Sequence, residues 1–204
     1  NNSMADNARL RAMYSDAADA LYAEAAASGG GDVYGVWVEG KLSIFTYSDI
    51  SNFKETGTMN EAMKAYVGIV MDKVAAEHGG QWEGNGLLFS NEHEAYKAMH
   101  DISWMFGTWT MECMAYVTKK GIVLAAFIGE VDGKTTWNGK GDCSVSEKLL
   151  PLHKGGKGEY NHIDFRGEKM DVYASIHTHF AERIFVGGAL WIGGAETSES
   201  DNSW

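Results

Sequence analysis

MECMAYVTKKGIVLAAFIGEVDGKTTW, residues 111–137, is where the chain changes period. Before it, apolar residues recur at the spacing of helices. Within it, β-branched and aromatic residues run in short segments separated by the turn pairs Lys120-Gly121 and Asp132-Gly133, the pattern of a β-meander. Immediately upstream, SNEHEAYKAMHDISWMFG sets Ala95, Met99, Ile102 and Met105/Phe106 on one side of a helix, with Ser90 as its cap.

Working outward, NEAMKAYVGIVMDKVAAEHGG carries an apolar helical stripe of Met63, Tyr66, Val67, Val70, Met71 and Val74 before terminating glycines. VYGVWVEGKLSIFTYS, residues 33–48, reads as a hairpin around Glu39-Gly40. A first helix over residues 5–27, with Leu10, Met13, Tyr14, Ala17 and Leu21 at helical spacing, stops at Ser28-Gly29-Gly30-Gly31. Downstream, residues 140–169 form a glycine- and lysine-rich loop with one short helix at 144–150, and MDVYASIH resumes as a strand. The order predicts an α+β protein with an N-terminal helix and hairpin region over 1–89 and a second domain over 90–204.

The 204 residues allow a sizeable core without a disulfide framework. Cys113 and Cys143, the only cysteines, point to a reducing compartment. A formal charge of -11 with no Lys/Arg-rich stripe excludes a nucleic-acid partner. No apolar run reaches the roughly 18 to 20 residues of a bilayer span, and the N-terminal stretch lacks a secretory hydrophobic segment. No membrane association and a cytoplasmic location in the producing cell are therefore expected.

VYASIHTHFAER, residues 172–183, runs a strand into two histidines. Positions two apart on a strand share a face, so His177 and His179 can offer imidazoles to one ion while Thr178 points away. A catalytic zinc takes three protein ligands, and a separate base must stand near its water. Downstream, AETSESDNSW supplies Asp201 and Ser198; upstream, Glu112 opens a β-run. A carboxylate can take the proton of an attacking water, and a hydroxyl can steady an oxyanion. Each has a plainer reading, Glu112 as a solvent-facing strand residue and Ser198 and Asp201 as part of a polar tail.

An acidic residue opening a strand, a strand ending in H-[ST]-H, then S-x-x-D resembles the JAB/MPN (JAMM) metallopeptidase signature. NEHEAYKAMHDI, MECMAYVTKKG and VYASIHTHF in that order resemble, more narrowly, the JAB-like domains of bacterial polymorphic toxins and effectors. The resemblance covers about residues 90–204 and leaves the first third aside. It implies a JAB-like mixed sheet flanked by helices and a zinc ion held by His177, His179 and Asp201. Glu112 would be the base and Ser198 the oxyanion donor. It also implies amide (peptide or isopeptide) hydrolysis of a protein or peptide substrate, delivery by a specialised secretion system, and an immunity protein as partner. Phe180 departs from the proline or glycine that often follows the second histidine, and Glu182 or Glu196 could replace Asp201 as oxygen ligand.

Two other readings stay open. GKTTWNGKGDCSVSEKLL puts Cys143 before a helix, where a thiol's pKa falls, and with His179 this resembles NlpC/P60 cysteine hydrolases, although Val145 stands in place of the family's glycine. Alternatively WNGKG, HKGGKGEYNHIDFRG and seven tryptophans shape a carbohydrate- or peptide-binding surface without chemistry. His153 and His162 lack metal-ligand spacing and read as surface residues.

Overall fold

The chain is α+β; of the meander expected after Met111, the first two strands become the middle of a six-stranded sheet and the last two form a separate ribbon. The computed structural model describes residues 4–28, 33–106, 109–139, 142–179, 182–186 and 189–193. It forms two compact units, 1–70 and 71–204, divided within one helix.

In the first unit, α1 (Met4–Ala27) precedes a hairpin of β1 (Val33–Val38) and β2 (Lys41–Thr46). Glu39 and Gly40 both take positive φ, 50° and 76°, the two-residue turn whose twist matches paired strands. On α1, Ala17 is buried and Met13 and Leu21 half-buried, whereas Tyr14 is exposed. Phe45 stacks on Tyr34 at 4.8 Å, and Tyr66 meets both rings edge-on at 5.4 and 5.5 Å. The hairpin does not run on to residue 48, because Tyr47 starts α2 (Tyr47–Thr56). The Asp49 carboxylate accepts the Thr46 N–H at 2.8 Å, satisfying one donor at the helix start. Gly57, at φ 71°, ends it by donating to the Phe53 carbonyl. α3 (Glu61–His78) follows, with Met63, Val67 and Val70 buried in its first part.

The second unit begins with the end of α3, where Met71, Val74 and Ala75 are buried. β3 (Gln81–Glu83) and β4 (Gly86–Phe89) come next, from the stretch that the sequence reading assigns to the N-terminal region; here they pair into the main sheet. Then come α4 (Glu92–Met105), β5 (Met114–Thr118), β6 (Gly121–Ala125), β7 (Ile128–Val131), β8 (Lys134–Trp137) and α5 (Ser144–Leu149). β9 (Asn161–Phe165), β10 (Glu168–His177), β11 (Glu182–Val186) and β12 (Ala189–Gly193) complete it. The main sheet has the order β3-β4-β6-β5-β10-β9, while β7-β8 and β11-β12 are separate two-stranded ribbons. Every pairing is antiparallel, so the sheet is not mixed. β9 arises inside the stretch expected as loop. His162-Ile163-Asp164-Phe165 alternates outward and inward, and Arg166-Gly167, both at positive φ, turns it into β10.

GIVLAA reads as a continuous apolar run because β6 is covered on both faces. Met114, Tyr116, Val123, Ala125, Ile163, Phe165, Met170 and Val172 form one core with Leu150, which follows α5. The alternate set, Leu87, Phe89, Ala115, Ile122 and Leu124, is also buried, and α4 contacts β4 and β6. The α4 cap falls on Asn91, whose side chain accepts the Glu94 N–H, one residue past the expected Ser90. Among the described residues, no helix is long and apolar enough to cross a membrane.

Candidate metal centre at the end of a sheet strand

β10 lies between β5 and β9, and its last residue, His177, pairs with Met114 at the first residue of β5. The ladder runs one step further: the Thr178 N–H donates to the Cys113 carbonyl at 2.9 Å. The Thr178 hydroxyl oxygen accepts the Cys113 N–H at 3.0 Å and the Ser103 hydroxyl, from α4, at 2.9 Å. Alternation therefore sends Thr178 toward α4 and the two histidines the other way. Their Nε2 atoms converge to 2.9 Å and their rings stack, 22° from parallel. Two imidazole nitrogens at that separation either share a proton in an N–H···N hydrogen bond or present lone pairs to a common electrophile.

Glu112, two residues before the His177 partner Met114, is half-buried. Burial pushes its carboxyl above the ordinary value; the His177 and His179 rings and the Cys143 thiol pull it back, and Asp142 adds to the rise. The backbone at Glu112 is held from beneath. Asn138, fully buried, donates from Nδ2 to the Glu112 carbonyl at 3.0 Å, and its Oδ1 accepts the Val145 and Ser146 N–H groups at 3.1 Å each, which caps α5. An aromatic brace fixes the approach to Glu112: Phe106 meets Trp109 at 5.1 Å and Phe127 at 5.5 Å, and Trp109 meets Trp137 at 5.3 Å, all edge-on. Each such pair contributes about 0.5–1.5 kcal/mol beyond area burial. Trp109 and Trp137 are thus core rather than ligand platform.

The fold brings Glu112, His177 and His179 to one corner of the sheet. Ser198, Asp201 and Glu196 lie outside the described residues, and Glu182 starts β11. Cys143 stands at the start of α5, as its sequence context predicts, but burial pushes its thiol far up, and the Glu112 carboxylate, whose Oε2 it faces at 3.7 Å, adds to the rise. That environment opposes a nucleophilic thiolate. His153 and His162 bridge two strand segments and stack at 5.2 Å.

A second group lies elsewhere. Glu77, His78 and Asp101 hold ligand atoms within 4.8 Å of one another, an arrangement that could bind a metal ion. His78 ends α3, and its Nδ1 and Nε2 meet Glu94 and Asp101 of α4 at 2.8 and 2.7 Å. No short motif announces this group, because its members come from two helices. The only sequence signal is the row His93, Lys97, His100 and Asp101 at helical spacing. Asn138 and Ser103, which position the first site, are likewise silent in the sequence.

No protein-family model, curated protein or solved structure matches the chain.

Proposed function

We propose that the chain is a zinc-dependent amide hydrolase of the JAB/MPN type, cutting a peptide or isopeptide bond. The observation that carries this reading is the convergence of His177 and His179 Nε2 to 2.9 Å at a strand end fixed beside Glu112. The donor set fits the ion. With Zn–N bonds of about 2.0–2.1 Å, two ligands of a tetrahedral ion stand about 3.3 Å apart, so the stacked rings need to open by only a few tenths of an ångström. His177 and His179 would hold the zinc, with Asp201 as the third ligand that the resemblance implies. Zinc there supplies Lewis acidity, which lowers the pKa of water and polarises a carbonyl.

Glu112 is the base in this reading. Its half-buried carboxyl, raised by burial, is suited both to take a proton and to return it. It accepts the proton of the attacking water as the water oxygen bonds to the amide carbon. When the C–N bond breaks, the proton passes to the leaving amine. Ser198, by the resemblance, donates to the oxyanion. Thr178 and Ser103 keep the histidines in register. The formal charge of -11 favours a basic protein substrate or an immunity protein as partner, in keeping with a delivered bacterial toxin or effector.

Tag-free protein grown with zinc should carry about one more equivalent of metal than H177A/H179A. Glu112→Gln should lower cleavage of a peptide- or isopeptide-linked reporter by about 10²–10⁴-fold at unchanged metal content. Equal metal in wild type and the double variant overturns the reading, and a protein that binds the reporter without cutting it favours a binding module.

A further inference from the structure

We propose that the end of α3 and the facing side of α4 form a second, separate site for a divalent transition metal, with Glu77, His78 and Asp101 as ligands. It stands apart from the hydrolase reading and does not depend on it. The imidazole Nε2 of His78 lies 2.7 Å from Asp101 Oδ2, and the Glu77 carboxylate comes within 4.8 Å of both. On the opposite side of the ring, Nδ1 lies 2.8 Å from Glu94 Oε2. Both ring nitrogens donate to carboxylates here; an ion that displaced the Nε2 proton shared with Asp101 would meet the lone pair there, while Glu94 on Nδ1 kept the ring oriented, as outer carboxylates commonly do for ligating histidines. Glu94 in turn receives Lys97 Nζ at 3.1 Å. The lysine offsets Glu94; Glu77 has only the longer, exposed Lys73 pair at 3.9 Å, so a dication held between Glu77 and Asp101 would compete with that lysine and with the His78 proton.

The surroundings supply further donors. A cavity of about 410 Å³ is lined by His78, His93, Tyr96, Lys97, His100 and Asp101, so three of the seven histidines of the chain border one space. His93 and His100 are seven residues apart on α4 and share a face. His100 Nδ1 is 3.6 Å from Asp101 Oδ1 and borders the same cavity, which makes it a candidate further ligand. One or two imidazoles with two carboxylates suit zinc, cobalt or nickel, whereas magnesium favours oxygen and water alone. The ion would join two helices otherwise linked here by ion pairs.

The test uses tag-free, metal-free H177A/H179A full-length chain, so that only this site is counted, titrated calorimetrically with Zn²⁺ and in parallel with Mg²⁺. One equivalent of Zn²⁺ should bind and raise Tm, and Mg²⁺ should not compete. His78→Asn should abolish uptake. Glu77→Gln, at an exposed position that leaves the fold intact, should weaken it at least about 10-fold, and Glu94→Gln by about 10–100-fold. Should the double variant fail to fold, wild type and Glu77→Gln are compared in its place, and a fall of at least about 10-fold in the affinity of one equivalent, the other unchanged, gives the same answer. No uptake up to about 1 mM Zn²⁺, or equal affinity in Glu77→Gln, overturns the proposal and leaves His78 as a purely ionic link between two carboxylates.

Discussion

Glu112 is raised in the folded chain, chiefly by burial, and that has a consequence for stability apart from catalysis. As pH rises the unfolded chain ionises this carboxyl first. Its contribution is therefore fully present below the ordinary carboxylate range and is lost as pH climbs through the raised folded value. In metal-free protein, the Tm of Glu112→Gln relative to wild type should rise between about pH 3 and pH 7; a constant gap across that range would show that the carboxyl is not raised. Glu112, His177 and His179 were legible because a strand's two-residue repeat and an acid before a neighbouring strand are local patterns. Asp101 and His78 were not, since nothing within either helix marks a pairing across 23 residues.

The strand end is held by hydroxyl and amide groups that leave no composition signal. Thr178→Val keeps the shape but strands the Cys113 N–H, which is buried, and leaves the Ser103 hydroxyl only the Cys113 sulfur as acceptor. It should cost about 1–3 kcal/mol and weaken metal uptake at the histidine pair, while Thr178→Ser should restore most of both. Urea unfolding and metal titration of the two variants measure this. Asn138→Ala removes the acceptor for two helix N–H groups and the donor to the Glu112 carbonyl in a fully buried place. A loss of at least about 2 kcal/mol is expected, and a smaller one would mean that α5 holds its position without the strut. Long periodic elements are readable: of the α3 stripe, Met63, Val67, Val70, Met71 and Val74 are buried as their spacing predicts and Tyr66 is half-buried. α2 leaves little trace in the sequence because it begins on the residue after β2, with only Thr46, Asp49 and Gly57 to mark its ends. β9 hides in a loop-like stretch because arginine, rather than asparagine or aspartate, opens the turn that follows it.

At the scale of the whole chain, two compact units should answer separately to damage, and one kind of substitution made in each can reveal it. Gly40 turns the β1-β2 hairpin at φ 76°, and a Cβ there would meet nothing within 4 Å. Gly40→Ala should therefore cost only the left-handed backbone penalty, about 1–2 kcal/mol. Gly121 opens β6 at φ 133°, and a Cβ would fall 2.2 Å from the Phe89 carbonyl oxygen. Neither β4 nor β6 can yield without disturbing the sheet between them, so Gly121→Ala should cost about 3 kcal/mol or more, a large share of a typical domain's 5–15 kcal/mol. Thermal unfolding followed by calorimetry distinguishes the outcomes. If the units unfold independently, Gly121→Ala lowers one transition and leaves the other in place, whereas Gly40→Ala shifts the second one slightly. A single transition that moves by the same amount in both variants would show that the units unfold as one and that the carbonyl of Phe89 gives way more readily than its place in the sheet implies.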